Sequence, residues 1–308
     1  MHIAILGATS QIAKDLIVSF SAQHEHGLTL FARRTEAVEQ WLISIGEFGR
    51  YGVAGFDAFG VDKHFDAIIN FVGSGNPAQT VAMGASIFDV TLKYDEMALN
   101  YLRHRPNCRY LFLSSGVAYG STFDEPVDES TKAVIAINNL QPQDWYAVAK
   151  LHAECRHRSL THLPIIDIRV FNYFSHTMDL SARFFITDIM RAIQTGETLL
   201  TSSANIVRDY LGPSDFYQLV LCLLDSSLVN DVVDCYTKQP VDKVTLLSKM
   251  QDKVGLTYEV RDESASINAT GLKMNYYSIN RRAQEFGFSP TKTSLDSILQ
   301  EIHEISIF

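Results

Sequence analysis

Tyr146 and Lys150 stand four residues apart in Tyr146-Ala147-Val148-Ala149-Lys150, a spacing that on a helix sets a phenol and an ammonium on one face. An ammonium that close favours the phenolate. The pair is therefore predicted to exchange a proton nearer neutral pH than a free tyrosine does, as an acid/base unit must. A lone Tyr-x-x-x-Lys also serves packing and solvation on many amphipathic helices, so its meaning depends on company. That company is Ser115: the apolar run Tyr110-Leu111-Phe112-Leu113 reads as a strand and ends in Ser114-Ser115-Gly116-Val117-Ala118-Tyr119-Gly120. Open parallel sheets place their chemistry where strands end. Ser114, the neighbour of Ser115, is the competing candidate.

Elements that could position these groups follow from the apolar pattern. The opening Ile3-Ala4-Ile5-Leu6-Gly7-Ala8-Thr9-Ser10-Gln11-Ile12-Ala13 is a buried-strand run that turns through a glycine into a helix, the place where a dinucleotide pyrophosphate rests. Apolar runs near 2–6, 28–32, 66–71, 109–114 and 164–170 alternate with helical stretches. That rhythm predicts an α/β doubly wound parallel sheet. After Asn172 it changes to a helix around 179–195, a helix-strand unit through Tyr236 and a final amphipathic helix after Phe286-Gly287-Phe288-Ser289-Pro290. Neither an internal repeat nor a low-complexity linker interrupts the chain.

Composition bounds the rest. The 308 residues carry 26 Lys plus Arg against 35 Asp plus Glu, a net charge of -9, with no basic run. Nucleic acid is not expected as a partner. Cys108, Cys155, Cys222 and Cys235 are scattered without a CxxC, as in a reducing compartment. Apolar runs such as Leu219-Val220-Leu221-Cys222-Leu223-Leu224 are too short for a membrane span, and the first strand leaves no room for a signal peptide. A soluble, cytoplasmic protein is expected, for which the sequon Asn268-Ala269-Thr270 carries no information.

Taken in this order, the segments resemble the extended short-chain dehydrogenase/reductases, the superfamily of nucleotide-sugar epimerases, dehydratases and ketoreductases. Asn70-Phe71-Val72-Gly73, Arg169-Val170-Phe171-Asn172 and Arg208-Asp209-Tyr210 add to the match, which covers nearly the whole chain. The resemblance implies a Rossmann domain of residues 1–171 plus about 209–238, and a smaller mixed α/β substrate-binding domain of about 172–208 plus 239–308. It also implies a homodimer, with no membrane partner. In the family's arrangement Tyr146 transfers the proton, Ser115 bonds the reacting oxygen and Lys150 holds the nicotinamide ribose. Gly7, Thr9, Ser10, Gln11, Ile12, Asn70, Val72 and Gly73 would line the cofactor. Asn172 and Arg208 would contact the substrate, Arg208 at its diphosphate. The family has three glycines in the first turn; here Ser10 and Ala13 occupy the second and third positions, and Ser10 restricts φ where glycine would not.

Several departures refine the function. At the end of the second strand Ala32 stands where NAD-preferring relatives have a carboxylate, and Arg33 and Arg34 follow. A carboxylate would repel a ribose 2′-phosphate, whereas arginine can clamp one, so NADP(H) is preferred with NAD(H) also possible. Gly116 and Val117 replace the Asp and Glu of the sugar 4,6-dehydratases, and Val117 replaces the thiol used in GDP-fucose synthesis. Tyr173-Phe174-Ser175-His176 replaces the family's Tyr-Gly-Pro, with His176 read as a surface loop histidine. His152, Glu154, Cys155, His157 and His162 form no predicted metal cage. The leading expectation is an NADP(H)-dependent ketoreductase of an NDP-4-keto-6-deoxysugar. A 4-epimerase with tightly bound NAD is its rival, and a cofactor-sensing scaffold of the same fold is the reading from another class.

Overall fold

The computed structural model describes residues 1–308 apart from 24, 74, 121, 262–272 and 308; the sequon at 268–270 lies outside the described residues. Six strands in chain order, β1 (His2–Leu6), β2 (Gly27–Phe31), β3 (Gly52–Ala54), β4 (Ala67–Asn70), β5 (Arg109–Ser115) and β6 (Ile165–Val170), join the Asp231–Asp234 strand in one sheet. Its order is β3-β2-β1-β4-β5-β6 with Asp231–Asp234 at the far edge, and every pairing is parallel. This is the doubly wound Rossmann sheet. Five strands were foreshadowed by apolar runs; β3, three residues at the sheet edge, had none.

Alternate residues of each strand face opposite layers, so one strand serves two cores. Ile3 and Ile5 pack with helices α1 (Gln11–Gln23) and Pro213–Asp225, through Leu16, Phe20, Phe216, Leu219 and Leu223. Ala4 and Leu6 face the other layer, which includes Ala98, Leu99 and Leu102 of Ser86–His104 and Ala153 of Trp145–Ser159. A third core holds Phe174, Ile186, Ile189, Met190, Leu246, Leu247, Met250 and Ile298. It is built by the helices Phe185–Thr195, Lys243–Val254 and Ser294–Ile307. The first of these begins at Phe185, later than the 179–195 predicted, because the Phe184 N–H bonds Thr187 Oγ1 and Asp179 accepts from the Ser181 N–H in a preceding turn.

Two short pairings bring distant chain to the top of the sheet. Asn172–Tyr173 runs parallel to Tyr210–Leu211, and Val207–Arg208 lies between Val241–Asp242 and Asn275–Tyr276. Residues from both halves of the chain thereby meet above the C-terminal ends of β5 and β6. Among the described residues no helix is long and apolar enough to cross a membrane.

Candidate active site

The first turn is built on Gly7. Its φ is 84°, and a Cβ there would lie 3.0 Å from Phe71 C and Val72 N at the end of β4. Only glycine fits both constraints. The Gly7 and Ala8 N–H groups bond Phe31 O, and Ser10 N–H bonds Gly7 O at 2.9 Å, closing the turn into α1. Thr9 is exposed, while Ser10, Gln11 and Ile12 are half-buried along the start of that helix. Gln11 bonds Asp15 and Thr177, and buried Asp15 also accepts from Tyr173 at 2.8 Å, tying α1 to the segment after β6. At the end of β4, Asn70 accepts from the Val72 N–H at 2.9 Å and donates to Tyr110 Oη at 2.9 Å, which fixes the turn carrying Val72 and Gly73. Arg33 and Arg34 are exposed just beyond β2, and among the described residues neither forms an ion pair.

Tyr146 and Lys150 lie in the helix Trp145–Ser159, as their spacing predicted. Lys150 is buried; its Nζ donates to Leu113 O at 2.7 Å and sits 4.3 Å from the Phe112 ring centre. A Cβ at Gly73 would come within 3.8 Å of that Nζ, so the lysine borders the β4 turn. Burial drops its pKa to about 8, against the opposing pull of Glu154, Asp95 and Asp167. The Tyr146 phenol corrects an expectation: burial pushes its pKa well above the ordinary tyrosine range, with the Tyr276 phenol adding to the rise and the Ser115 hydroxyl opposing it. Lys150 Nζ is 5.8 Å from the Tyr146 ring centre, and desolvation sets the direction of the shift. The site therefore presents a protonated phenol.

Ser114 and Ser115 part company at the end of β5. Ser114 Oγ donates to buried Glu154 at 2.5 Å, whereas Ser115 Oγ lies beside Tyr146 and 3.4 Å from Tyr276 Oη. Glu154 and His157 share a face with Lys150, at helical offsets of four and seven. That charged stripe meets Asp167 and Arg169, alternate residues of β6. Arg169 forks onto Glu154, and His157 bonds Asp167 at 2.6 Å and Asp95 at 2.8 Å. Although burial opposes it, the carboxylates of Asp167 and Asp95 raise the His157 pKa to about 9. These residues form the ionic floor of the site, and among the described residues no group is placed to hold a metal ion.

The roof comes from the second half. Arg208 is buried and donates from Nη1 to Val207 O and Lys273 O, each at 2.8 Å, with no carboxylate in ion-pair reach among the described residues. Asn172 Nδ2 donates to Tyr276 O at 3.1 Å. His176 is half-exposed and bonds Glu301 at 2.8 Å, away from the Ser115 cluster. Gly116 faces Phe171 so closely that a Cβ would lie 2.4 Å from its ring, which leaves no space for an acidic side chain at that position. Tyr276 and Lys273 belong to this roof without any sequence motif to announce them; Lys273 Nζ lies 4.6 Å from the Tyr276 ring centre.

Residues 3–235 match the model of the NAD dependent epimerase/dehydratase family. The chain belongs to that family, within the extended short-chain dehydrogenase/reductases, and is an enzyme of the epimerase/dehydratase type. No curated protein matches it in sequence. Among solved structures it is similar to a UDP-glucose-4-epimerase from Stenotrophomonas maltophila with bound NAD and formylated UDP-arabinopyranose (15% identity, TM-score 0.80, 100% of this chain and 98% of that one). Another is the UDP-glucuronic acid 4-epimerase from Bacillus cereus with UDP-glucuronic acid and NAD (13%, 0.75, 100% and 99%). A third is the dTDP-glucose 4,6-dehydratase from Bacillus anthracis in complex with NAD (15%, 0.76, 100% and 97%).

Proposed function

We propose that this chain is an NADP(H)-dependent ketoreductase of an NDP-4-keto-6-deoxysugar, with Ser115, Tyr146 and Lys150 as its catalytic residues. The observation that carries the reading is the half-buried Tyr146 phenol in hydrogen-bond reach of Ser115, a proton donor poised for a carbonyl oxygen. A nicotinamide dinucleotide is supported by the tight Gly7 turn, which packs against the end of β4 and leads into the α1 N-terminus. Residues 7 and 9–12 would hold its pyrophosphate, the turn of Asn70, Val72 and Gly73 its nicotinamide side, and Lys150 a ribose hydroxyl. Arg33 or Arg34 would clamp a 2′-phosphate. When bound, the cofactor supplies the hydride. Tyr146 then gives its proton to the oxygen of the reduced carbon, and Ser115 steadies that oxygen by a hydrogen bond.

Residues 1–171 with about 209–238 form the cofactor half in this reading, and about 172–208 with 239–308 the sugar half. Arg208, a buried cation with no carboxylate neighbour among the described residues, would take the diphosphate, and that remote contact would orient the sugar. Free sugars should accordingly be poor substrates.

A 4-epimerase with tightly bound NAD is the second reading, favoured by the NAD and nucleotide sugars bound in the similar epimerase structures. Mass spectrometry of cofactor released from the purified protein separates the two, followed by NADPH oxidation assays on NDP-4-keto-6-deoxysugars. Exchangeable NADPH with net reduction supports the ketoreductase. Retained NAD with epimer formation supports the rival, and binding without turnover supports a scaffold.

A further inference from the structure

Tyr276 is 2% exposed, and its ring is clamped. Phe123 meets it edge-on at 4.8 Å and 87°, Phe171 at 5.3 Å and 56°, and its strand is pinned beside Arg208 and by Asn172. An aromatic held on two sides has little rotamer freedom, so its hydroxyl is delivered to a fixed point. That point lies 3.4 Å from Ser115 Oγ. The separation is long for an O–H···O bond, as separations in substrate-free sites often are.

We propose that Tyr276 is a positioning residue for Ser115, its phenol fixing the serine hydroxyl so that the serine proton points at the reacting oxygen beside Tyr146. The direction follows from the donors present. The Val117 N–H donates to Ser115 Oγ at 3.5 Å, and with the Tyr276 phenol donating to the remaining lone pair the serine oxygen accepts twice. With its lone pairs engaged, Ser115 turns its own proton into the cleft. Burial, opposed by Ser115, holds the Tyr276 pKa at about 12, so the phenol remains a donor at neutral pH. No proton is transferred in this arrangement. Tyr276 sets an orientation, and Tyr146 alone donates to product.

This inference rests on the assignment of Ser115 to the reaction, and a double-mutant cycle tests it. Wild type, Tyr276→Phe, Ser115→Ala and the double variant would be compared on the nucleotide sugar, with cofactor affinity measured for each. Tyr276→Phe should lower kcat about five- to tenfold, the worth of one hydrogen bond, with KM unchanged. In the Ser115→Ala background it should change kcat less than twofold. Replacing Tyr276 by 4-aminophenylalanine, which keeps a donor at the same place, should restore most of the rate. If Tyr276→Phe does not fold, 4-fluorophenylalanine fills the volume without a donor and takes its place. Equal losses in both backgrounds, or a loss confined to KM, would overturn the proposal. Should wild type ignore nucleotide sugars yet reduce a small ketone, the cycle is run on that ketone. Coupling there would uphold the Tyr276 role while the substrate reading falls; additivity on an active nucleotide sugar would do the reverse.

Discussion

Lys150→Met separates function from stability. The ammonium is held at a pKa of about 8 against an ordinary 10.5, a difference that corresponds to a folding penalty of about 3 kcal/mol while the group is charged. That penalty is complete below about pH 8 and absent above 10.5, since the unfolded chain keeps its proton across that window and the folded chain does not. Methionine removes the penalty and forfeits the bond to Leu113 O, about 1.5–3 kcal/mol for a charged donor. The two nearly cancel. At neutral pH the variant should therefore melt within about 4 °C of wild type, taking about 2–4 °C per kcal/mol. Its NADPH affinity, read by fluorescence titration, should fall at least tenfold and turnover should collapse. A Tm lowered by more than about 8 °C with cofactor affinity intact would refute this reasoning and make Lys150 a structural residue. The same pKa predicts that wild-type turnover declines as pH rises through about 8.

Other outcomes follow from single contacts. Arg33→Ala should shift the NADPH/NADH preference at least tenfold towards NADH, as loss of a charge-assisted phosphate bond requires; an unchanged ratio would pass the role to Arg34 or to neither arginine. Gly7→Ala, strained both by its φ of 84° and by contact with Phe71 and Val72, should weaken dinucleotide binding, and wild-type affinity in a calorimetric titration would refute that. His157, raised to about 9 from 6.5 by Asp167 and Asp95 despite burial, should contribute about 3 kcal/mol that is present below pH 6.5 and lost as pH climbs through 9. Denaturant titrations between pH 6.5 and 7, below the point where Lys150 loses its charge, should show stability falling in wild type and not in His157→Gln.

The sequence revealed what is local. Tyr146 and Lys150 are one helical turn apart, Ser115 ends an apolar strand, and Gly7 closes a strand-helix turn, so their placement needed no knowledge of distant chain. Tyr276 was hidden because its partner Ser115 lies 161 residues away and its own strand is two residues long. Glu154 and His157, weighed in the sequence only as metal ligands, form one stripe with Lys150. The burial of that stripe depends on Asp167 and Arg169 arriving on the facing side of β6, a pairing that helical periodicity cannot show. The Tyr146 shift was misjudged for a related reason: the effect of Lys150 was read from spacing, whereas desolvation is set by the whole fold. Arg208 and Asn172 were found by motif, but their bonds to the carbonyls of Lys273 and Tyr276 emerge only when the second half folds over the sheet.

NADPH oxidation by the purified chain on an NDP-4-keto-6-deoxysugar, with Tyr146→Phe measured beside it, tests the central claim most directly. The proposal predicts one NADPH consumed per alcohol formed, and for Tyr146→Phe a loss of about 10²- to 10⁴-fold in kcat with NADPH affinity unchanged. No NADPH consumption alongside C4 epimer formation from retained NAD, or a Tyr146→Phe rate within a few-fold of wild type, would contradict it.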